Sequence, residues 1–392
     1  MQNVLTADNA GITPGAARAS GTVMEFQASC ISGTESALCQ ELREIGLPSV
    51  RLNRGAIPFR GTWREGWRAC LQSRIAQRIH VLMARFPAAT VEALYAGARN
   101  IDWSPHLTPA QTFAISAVCV GSTIRHSGFA ALKVKDAIAD QIRASSHGKR
   151  PNVVKDPDVR VFLYLANNKA ALYLDLSGEP LSKRGYRQDA GEAPLRETLA
   201  AAILRMSGWD RSTRLIDPMC GSGTIAIEAA LWAANIAPGL FRARFGFERW
   251  ASFGPAEAQV LREIKGELRA ASTGRASRIV AADIDAEVLE KARSNARAAG
   301  VRIAFREQSV LDLRRDGNET LVITNPPYGI RLEAEPLFVR QVAATFCRLH
   351  GWQVGLLAGT PIYAQNISLR PRERIPLMNG ELPCEFLLYN IH

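Results

Sequence analysis

The chain is 392 residues long, beyond the roughly 250 to 300 residues at which one hydrophobic core stops growing, so two or more domains are expected. Hydrophobic residues make up 47% and charged residues 22%, which excludes a disordered chain, and no apolar run approaches the roughly 18 to 20 residues that span a bilayer. The net charge of +11 lies mostly in the first half, where residues 1 to 190 hold 23 Lys and Arg against 15 Asp and Glu, so a polyanionic partner docking there is expected.

Residues 1 to 23, rich in Ala, Gly, Thr and Ser, lack the charged start and apolar core of a secretion signal and read as a disordered tail. A strand is predicted over Met24 to Cys30, a helix over Ser36 to Ile45 and a strand pair around Arg51 to Arg60. From Trp63 to Leu82 a helical period places Trp67, Cys70, Leu71, Ile75 and Ile79 on one stripe, with Arg64, Arg68, Arg74 and Arg78 as surface decoration. A strand at Gln111 to Val120 leads to a helix from Phe129 to Arg143 that carries Lys133 and Lys135. Strands at Val159 to Leu165 and Lys169 to Leu176 flank Asn167-Asn168, a natural hairpin turn. The basic cluster Lys183, Arg184, Tyr186 and Arg187 follows, where cations interleaved with an aromatic suit RNA.

From about Pro194 the pattern becomes alternating helix and strand, with strand cores at Thr213 to Ile216, Arg278 to Ala282 and Leu321 to Thr324, which implies a parallel sheet with right-handed crossovers. Two further runs, Trp352 to Leu357 and Phe386 to Ile391, complete it. Ligands of such sheets lie beyond the strand carboxyl ends. The first of these strands ends in Asp217-Pro218-Met219-Cys220-Gly221-Ser222-Gly223-Thr224, whose glycines let backbone approach a ligand and whose helix start favours a carboxylate. Glu228 either tunes that site or decorates the helix surface. Asp283 ends the second strand where an acid accepts from both hydroxyls of a ribose, and Asp285 caps the next helix. Gln308, Ser309 and Asp312 end a third strand where an adenine would lie.

Asn325-Pro326-Pro327-Tyr328-Gly329 ends the apolar run Leu321 to Thr324 and suits methylation of a flat amine. The exocyclic nitrogen of a base is delocalised into its ring and must be held by acceptors, here the Asn325 amide oxygen and the Pro326 carbonyl. Pro326 and Pro327 stiffen the turn, and Tyr328 stacks on an extruded base. The seven cysteines are odd in number and form no C-x-x-C, and the six histidines show no ligand spacing, so neither a disulfide framework nor a metal site is expected and a reducing cytoplasm fits. Cys220 has no nearby His and reads as packing, which disfavours covalent methylation of cytosine carbon-5.

These motifs resemble those of the THUMP-containing guanine-N2 RNA methyltransferases, and the resemblance covers about residues 24 to 392. Its most telling segments are Arg125-His126-Ser127 with Lys133 to Ile138, Pro151-Asn152-Val153, Leu174 to Gly178, Arg184 to Arg187, Glu197-Thr198-Leu199, the Asp217 to Thr224 loop and the Asn325 to Gly329 turn. The resemblance implies an α+β ferredoxin-like and THUMP RNA-binding region over residues 24 to 187 and a Rossmann-like α/β methyltransferase domain over residues 188 to 392, acting with S-adenosyl-L-methionine on 23S ribosomal RNA. It places cofactor contacts at Asp217, Pro218, Cys220, Gly221, Gly223, Thr224, Asp283, Ile284 and Asn325, and RNA contacts at Arg125, Lys133, Lys135, Lys183, Arg184, Tyr186 and Arg187. Where the family's acid near the adenine is expected this chain has Ser309, leaving Asp312 or backbone to substitute. The chain stops at His392, without the second catalytic half some relatives carry, so a single modification is the simpler expectation. A transfer RNA guanine-N2 enzyme, a DNA adenine-N6 enzyme and a noncatalytic ribosome-assembly factor stay open as alternatives.

Overall fold

The computed structural model describes residues 21–187, 195–274, 278–327 and 336–392. Its first sheet has seven strands in the order β2-β1-β3-β7-β6-β4-β5. These are β1 (Met24–Ser29), β2 (Ala56–Gly61), β3 (Arg78–Pro87), β4 (Thr112–Val120), β5 (Asn152–Val153), β6 (Val159–Ala166) and β7 (Lys169–Asp175). Four helices, α1 (Glu35–Glu44), α2 (Trp63–Gln72), α3 (Val91–Arg99) and α4 (Ser127–Ser145), bury their apolar stripes against one face of it. The alternation is strict in β6, where Val159, Val161, Leu163 and Leu165 enter the core while Arg160, Phe162 and Tyr164 point the other way. Asn167 and Asn168 both take positive φ, which gives the β6–β7 hairpin the twist its strands need.

Several expectations for this half are corrected. The helical period from Trp63 ends at Gln72, because Ser73 turns extended; Ile79 and Val81 then alternate into the core from β3. The strand pair around Arg51 to Arg60 is the single strand β2, and α3, capped by Thr90, lies where no helix was expected. Arg74 is buried rather than decorative, and Arg78 pairs with Asp175. The expected division at residue 188 and most of the expected tail lie outside the described residues.

The second sheet has the order β10-β9-β8-β11-β12-β14-β13. Strands β8 (Arg214–Asp217), β9 (Ile279–Asp283), β10 (Ala304–Glu307), β11 (Thr320–Thr324) and β12 (Gln353–Ala358) are parallel, and the hairpin β13 (Glu373–Asn379) and β14 (Leu382–Asn390) closes one edge antiparallel. Helices α5 (Glu197–Met206), α6 (Thr224–Ala233), α8 (Ala286–Ala298), α9 (Pro336–Cys347) and α10 (Ile362–Asn366) accompany it. The chain winds outward from β8 to β10 on one side and from β11 to β12 on the other, so the crevice between β8 and β11 is the topological switch point.

The core of the first sheet takes in chain from the second half. Between α6 and β9 the chain leaves its own sheet, and Ala237, Phe245, Phe247 and Trp250, then Leu261, Ile264 and Leu268 of α7 (Pro255–Ala270), pack into the core of the first sheet. Trp67 stacks on Phe247 with centroids 5.2 Å apart, and Trp63 meets Trp250 edge-on at 5.7 Å. Each such pair contributes about 0.5–1.5 kcal/mol beyond the area it buries.

A buried ion pair fixes the same junction. Glu228 is the lone charge in α6, a helix otherwise apolar on every side, and it is fully buried. Arg184 answers it with Nε and Nη2, each 3.3 Å from a carboxylate oxygen, and spends its other donors on the carbonyls of Leu181 and Arg74. The Tyr186 hydroxyl also donates to Glu228, at 3.1 Å. Burial alone would pull the Arg184 guanidinium below its ordinary value, but Glu228 beside it holds it above. Removing one partner of such a pair strands a charge, so Glu228→Ala should lower the free energy of unfolding in urea by about 3–5 kcal/mol. The double change Arg184→Met with Glu228→Leu should restore more than half of that, and a single-variant loss below about 1 kcal/mol would contradict the assignment.

Candidate active site

Three strand ends meet at the switch point. Asp217 ends β8, Asp283 ends β9, and Asn325 follows β11, whose Val322 is in register with Ile216. Parallel strands of short length deliver these polar residues to one edge, while their apolar stems are buried between helices.

The turn after β8 is built for close approach. Gly221 and Gly223 hold φ of +53° and +84°, a region side chains rarely adopt, and a Cβ on Gly223 would meet that of Ala292 in α8 at 3.1 Å. Gly223 is the N-cap of α6, and no side chain among the described residues caps that first turn, whose N–H groups and dipole favour an anion. The Asp283 carboxylate braces the loop. Its Oδ2 accepts from the Gly221 N–H at 2.9 Å and its Oδ1 from the Asp285 N–H at 3.2 Å, each oxygen keeping a further lone pair. Asp285 caps α8 by accepting from Glu287 and Val288.

Asp217 is 1% exposed, and its Oδ1 has no hydrogen-bond partner among the described residues. Burial pushes its carboxyl up to about 7, against the Thr324 hydroxyl and the Met219 N–H, with the Asp283 charge adding to the rise. Asn325 Oδ1 is likewise buried without a partner among the described residues. An acceptor in that condition carries a desolvation penalty that only an incoming donor relieves. Pro326 is buried and Pro327 exposed; Tyr328 and Gly329 lie outside the described residues. Ile284 is 73% exposed beside Asp283, an apolar face that a ribose or adenine would cover. Cys220 is buried, and burial pushes its thiol far above the ordinary range, so it supplies no thiolate. Ser309 caps the short turn Val310–Asp312 by accepting from the Leu311 N–H, while Asp312 is exposed at its end.

The expected RNA contacts separate into two groups. On the first sheet's side, Arg125 is exposed, and Lys133 and Lys135 lie half-buried on α4, Lys133 over the Phe129 ring at 5.5 Å and Lys135 paired to Asp136. Lys183 is exposed and pairs with Glu179. Arg184 and Tyr186 are each 2% exposed and committed to Glu228, so their expected contact with RNA is corrected: they are internal struts. Arg187 is also mostly occupied, by Glu197 at 2.9 Å, the Thr224 hydroxyl and the Leu195 carbonyl. It thereby ties the first turn of α6 to α5. The signal that would have revealed this set is Glu228 itself, since a single acid inside an apolar helix requires a buried cation.

The arrangement fits S-adenosylmethionine. An uncapped helix start would accept its carboxylate, the Asp217 carboxylate would favour its cation, and Asp283 with Ile284 would present an acceptor and an apolar face at the neighbouring strand end.

Comparison with known proteins agrees. Residues 184–387 match the RMKL-like methyltransferase domain, residues 88–175 the THUMP domain and residues 25–80 the RlmL ferredoxin-like domain. The ribosomal RNA large subunit methyltransferase K/L of Methylococcus capsulatus is 41% identical over 381 residues, covering 94% of this chain and 51% of that protein. Its namesake in Pseudomonas paraeruginosa is 39% identical over 384 residues, covering 94% and 53%. This chain therefore spans about half the length of the curated relatives it matches. Among solved structures, a possible methylase from Clostridium difficile 630 superposes with a TM-score of 0.86 at 28% identity, covering 95% of this chain and 99% of that one. A protein of inferred methyltransferase activity solved with SAH superposes with a TM-score of 0.82 at 28% identity, covering 94% and 98%. With a match over residues 184–387, more than half of its length, the chain belongs to the RMKL-like methyltransferase domain family.

Proposed function

We propose that this chain transfers a methyl group from S-adenosylmethionine to the exocyclic N2 amine of a guanine in 23S ribosomal RNA. The observation that carries the reading is the buried amide oxygen of Asn325, unpartnered among the described residues, at the carboxyl end of β11, the strand paired in parallel with β8, which ends in the buried Asp217 and the glycine turn. The names of the relatives support ribosomal RNA as the substrate, and the THUMP match supports an RNA grip on the first sheet.

When bound, the cofactor supplies an electrophilic methyl on a sulfonium. The chain supplies position. Asn325 Oδ1 accepts one N–H of the amine, and the Pro326 carbonyl accepts the other, which turns the nitrogen lone pair out of conjugation and toward the methyl. Pro326 and Pro327 restrict the backbone that presents both acceptors. The new N–C bond forms as the sulfur–carbon bond breaks, and the nitrogen, acidic only once it carries the methyl, releases its proton to water. No strong base is required. Alignment of this kind is worth roughly 7–11 kcal/mol in favourable cases.

Asn325→Ala should lower turnover about a hundredfold or more on ribosomal RNA while leaving cofactor affinity, measured by calorimetry, within a few fold. Full turnover in that variant would refute the role. Mass mapping of ribosomal RNA from cells lacking the protein should show one N2-methylguanosine missing from the large-subunit RNA, and an unchanged map would refute the substrate.

Asp217 adds a pH dependence. Its folded value, near 7, lies above the ordinary 3.8, so the folded chain holds a proton that the unfolded chain has released, and stability falls as pH rises from about 4 to about 7. A cationic cofactor prefers the carboxylate, so binding expels that proton. Affinity for S-adenosylmethionine should therefore rise with pH up to about 7, by at most about tenfold per pH unit, level off above that, and be flat throughout in Asp217→Asn. Parallel profiles in the two proteins would reject the coupling.

A further inference from the structure

The first sheet has a second face, and it is not part of the apolar core. The four helices cover one side only, whereas Phe162, Tyr164 and Tyr173 point the opposite way and belong to no core cluster. Register sets the three rings next to one another: Phe162 is opposite Tyr173 on β7 and Ser116 on β4, and Tyr164 is opposite Ala171 and Val118. His80 of β3 completes the row, its ring 5.3 Å from that of Phe162, which in turn lies 6.1 Å from Tyr173. Along this row Tyr164 is 42% exposed and Phe162 half-buried, while Tyr173 and His80 are packed down to 7% and 5%.

Two clefts run along this face and share Tyr164 as the ridge between them. One, of about 660 Å³, has His80 and Phe162 in its lining; the other, of about 460 Å³, has Tyr173. Both volumes fall in the roughly 300–1,000 Å³ range of sites that hold small flat molecules. Arg54, Arg78 and Arg160 line the first and Arg85 and Lys169 the second; Asp175, the only acid lining either among the described residues, pairs with Arg78, while Arg160 pairs with Asp156 at 3.1 Å and Arg85 with Glu25 at 2.7 Å, both partly exposed pairs. His80 Nδ1, on a residue 5% exposed, has no hydrogen-bond partner among the described residues. Burial lowers its imidazole below the ordinary value, so the ring is neutral and offers one donor and one acceptor.

We infer that this open face of the first sheet binds unpaired bases of RNA, stacked on Phe162 and Tyr164 with their phosphates on the surrounding arginines, at a site separate from the methyl-transfer centre. The inference rests on the proposed action on RNA. Stacking tolerates any base, since every base has a π face, but demands a single strand, since in a duplex those faces are already occupied. The cations give the phosphate complementarity that an apolar protein partner would not need. The unpartnered imidazole nitrogen supplies a hydrogen bond to a base edge.

The test is fluorescence anisotropy with a short labelled single-stranded RNA and a duplex of the same sequence, alongside cross-linking of a 4-thiouridine version of the single strand. Tyr164→Ala and Phe162→Ala, on the solvent side of β6, should each weaken single-strand binding about tenfold and leave duplex binding within about twofold. Arg160→Glu should do the same should either ring variant fold poorly, and cross-links should map to β6. Unchanged single-strand affinity in all three variants, equal losses for the duplex, or cross-links confined to other elements would overturn the inference. So would sedimentation showing that this face instead holds a second copy of the chain, lost on Tyr164→Ala. Methyl transfer by the unaltered protein is scored separately: transfer without β6 cross-links sinks only this inference, whereas β6 cross-links without transfer to guanine sink only the functional reading.

Discussion

A carboxylate placed inside an apolar helix cannot be left alone, and the consequences of that rule organise this molecule. Glu228 sits one turn into α6, the helix that begins at the glycine turn, and the cation that neutralises it comes from the segment leaving the first sheet. Arg184 in turn donates to the carbonyl of Arg74, at the end of α2, and Arg74 donates to the carbonyls of Leu231 and Ile236, at the end of α6. Burial lowers the Arg74 guanidinium to about 10, and it remains charged at neutral pH, held by nearby Glu228 and Glu41. The result is a closed set of charges and carbonyls in which no member can move without stranding another. Arg187 extends the set to the first residue of α6 by binding the Thr224 hydroxyl.

The exchange of residues 237 to 270 makes the same point with apolar surface. A crossover between β8 and β9 needs only one helix, α6, to return the chain across the sheet. The additional segment contributes Phe247, Trp250 and the apolar stripe of α7 to a core built around α2. Close backbone approaches lock it in place: a Cβ on Gly239 would fall 2.6 Å from the Leu71 Cα, and one on Gly246 would fall 2.7 Å from the Gly178 nitrogen. Domains joined by a linker and a small polar interface move relative to one another by default. Here a continuous apolar core replaces that interface.

What was legible in the sequence follows from which features are local. Strand ends are local, so Asp217, Asp283 and the residues after Thr324 were readable as a set that a parallel sheet brings to one edge. The cap at Asp285 was readable for the same reason. Burial is not local. Lys183 to Arg187 has the composition of an RNA-contacting surface, and nothing within it says that Arg184 and Tyr186 face a carboxylate forty residues away. The run from Trp63 to Leu82 misled because Ile75 and Ile79 continue the stripe by spacing alone, while the change from period 3.6 to period 2 is carried by only a few residues of β3. The uncovered face of the first sheet was invisible because Phe162, Tyr164 and Tyr173 sit on two strands and become neighbours only in register.

Methylation of an exocyclic amine asks little of a protein in proton transfer and a great deal in placement. Among the described residues no histidine or reactive thiol is found at the strand ends, and the one unusual acid there, Asp217, is too buried to meet a base directly and is suited to matching the charge of the methyl donor. Under the proposed function the rate then depends on how well the position of an RNA gripped by the first sheet is transmitted to a turn on the second. A misplacement of about 1 Å can cost about a hundredfold in a reaction of this kind. That sensitivity gives a physical reason for binding the two sheets through a buried ion pair and a shared aromatic core, because a looser junction would leave the catalytic turn intact and the amine out of line.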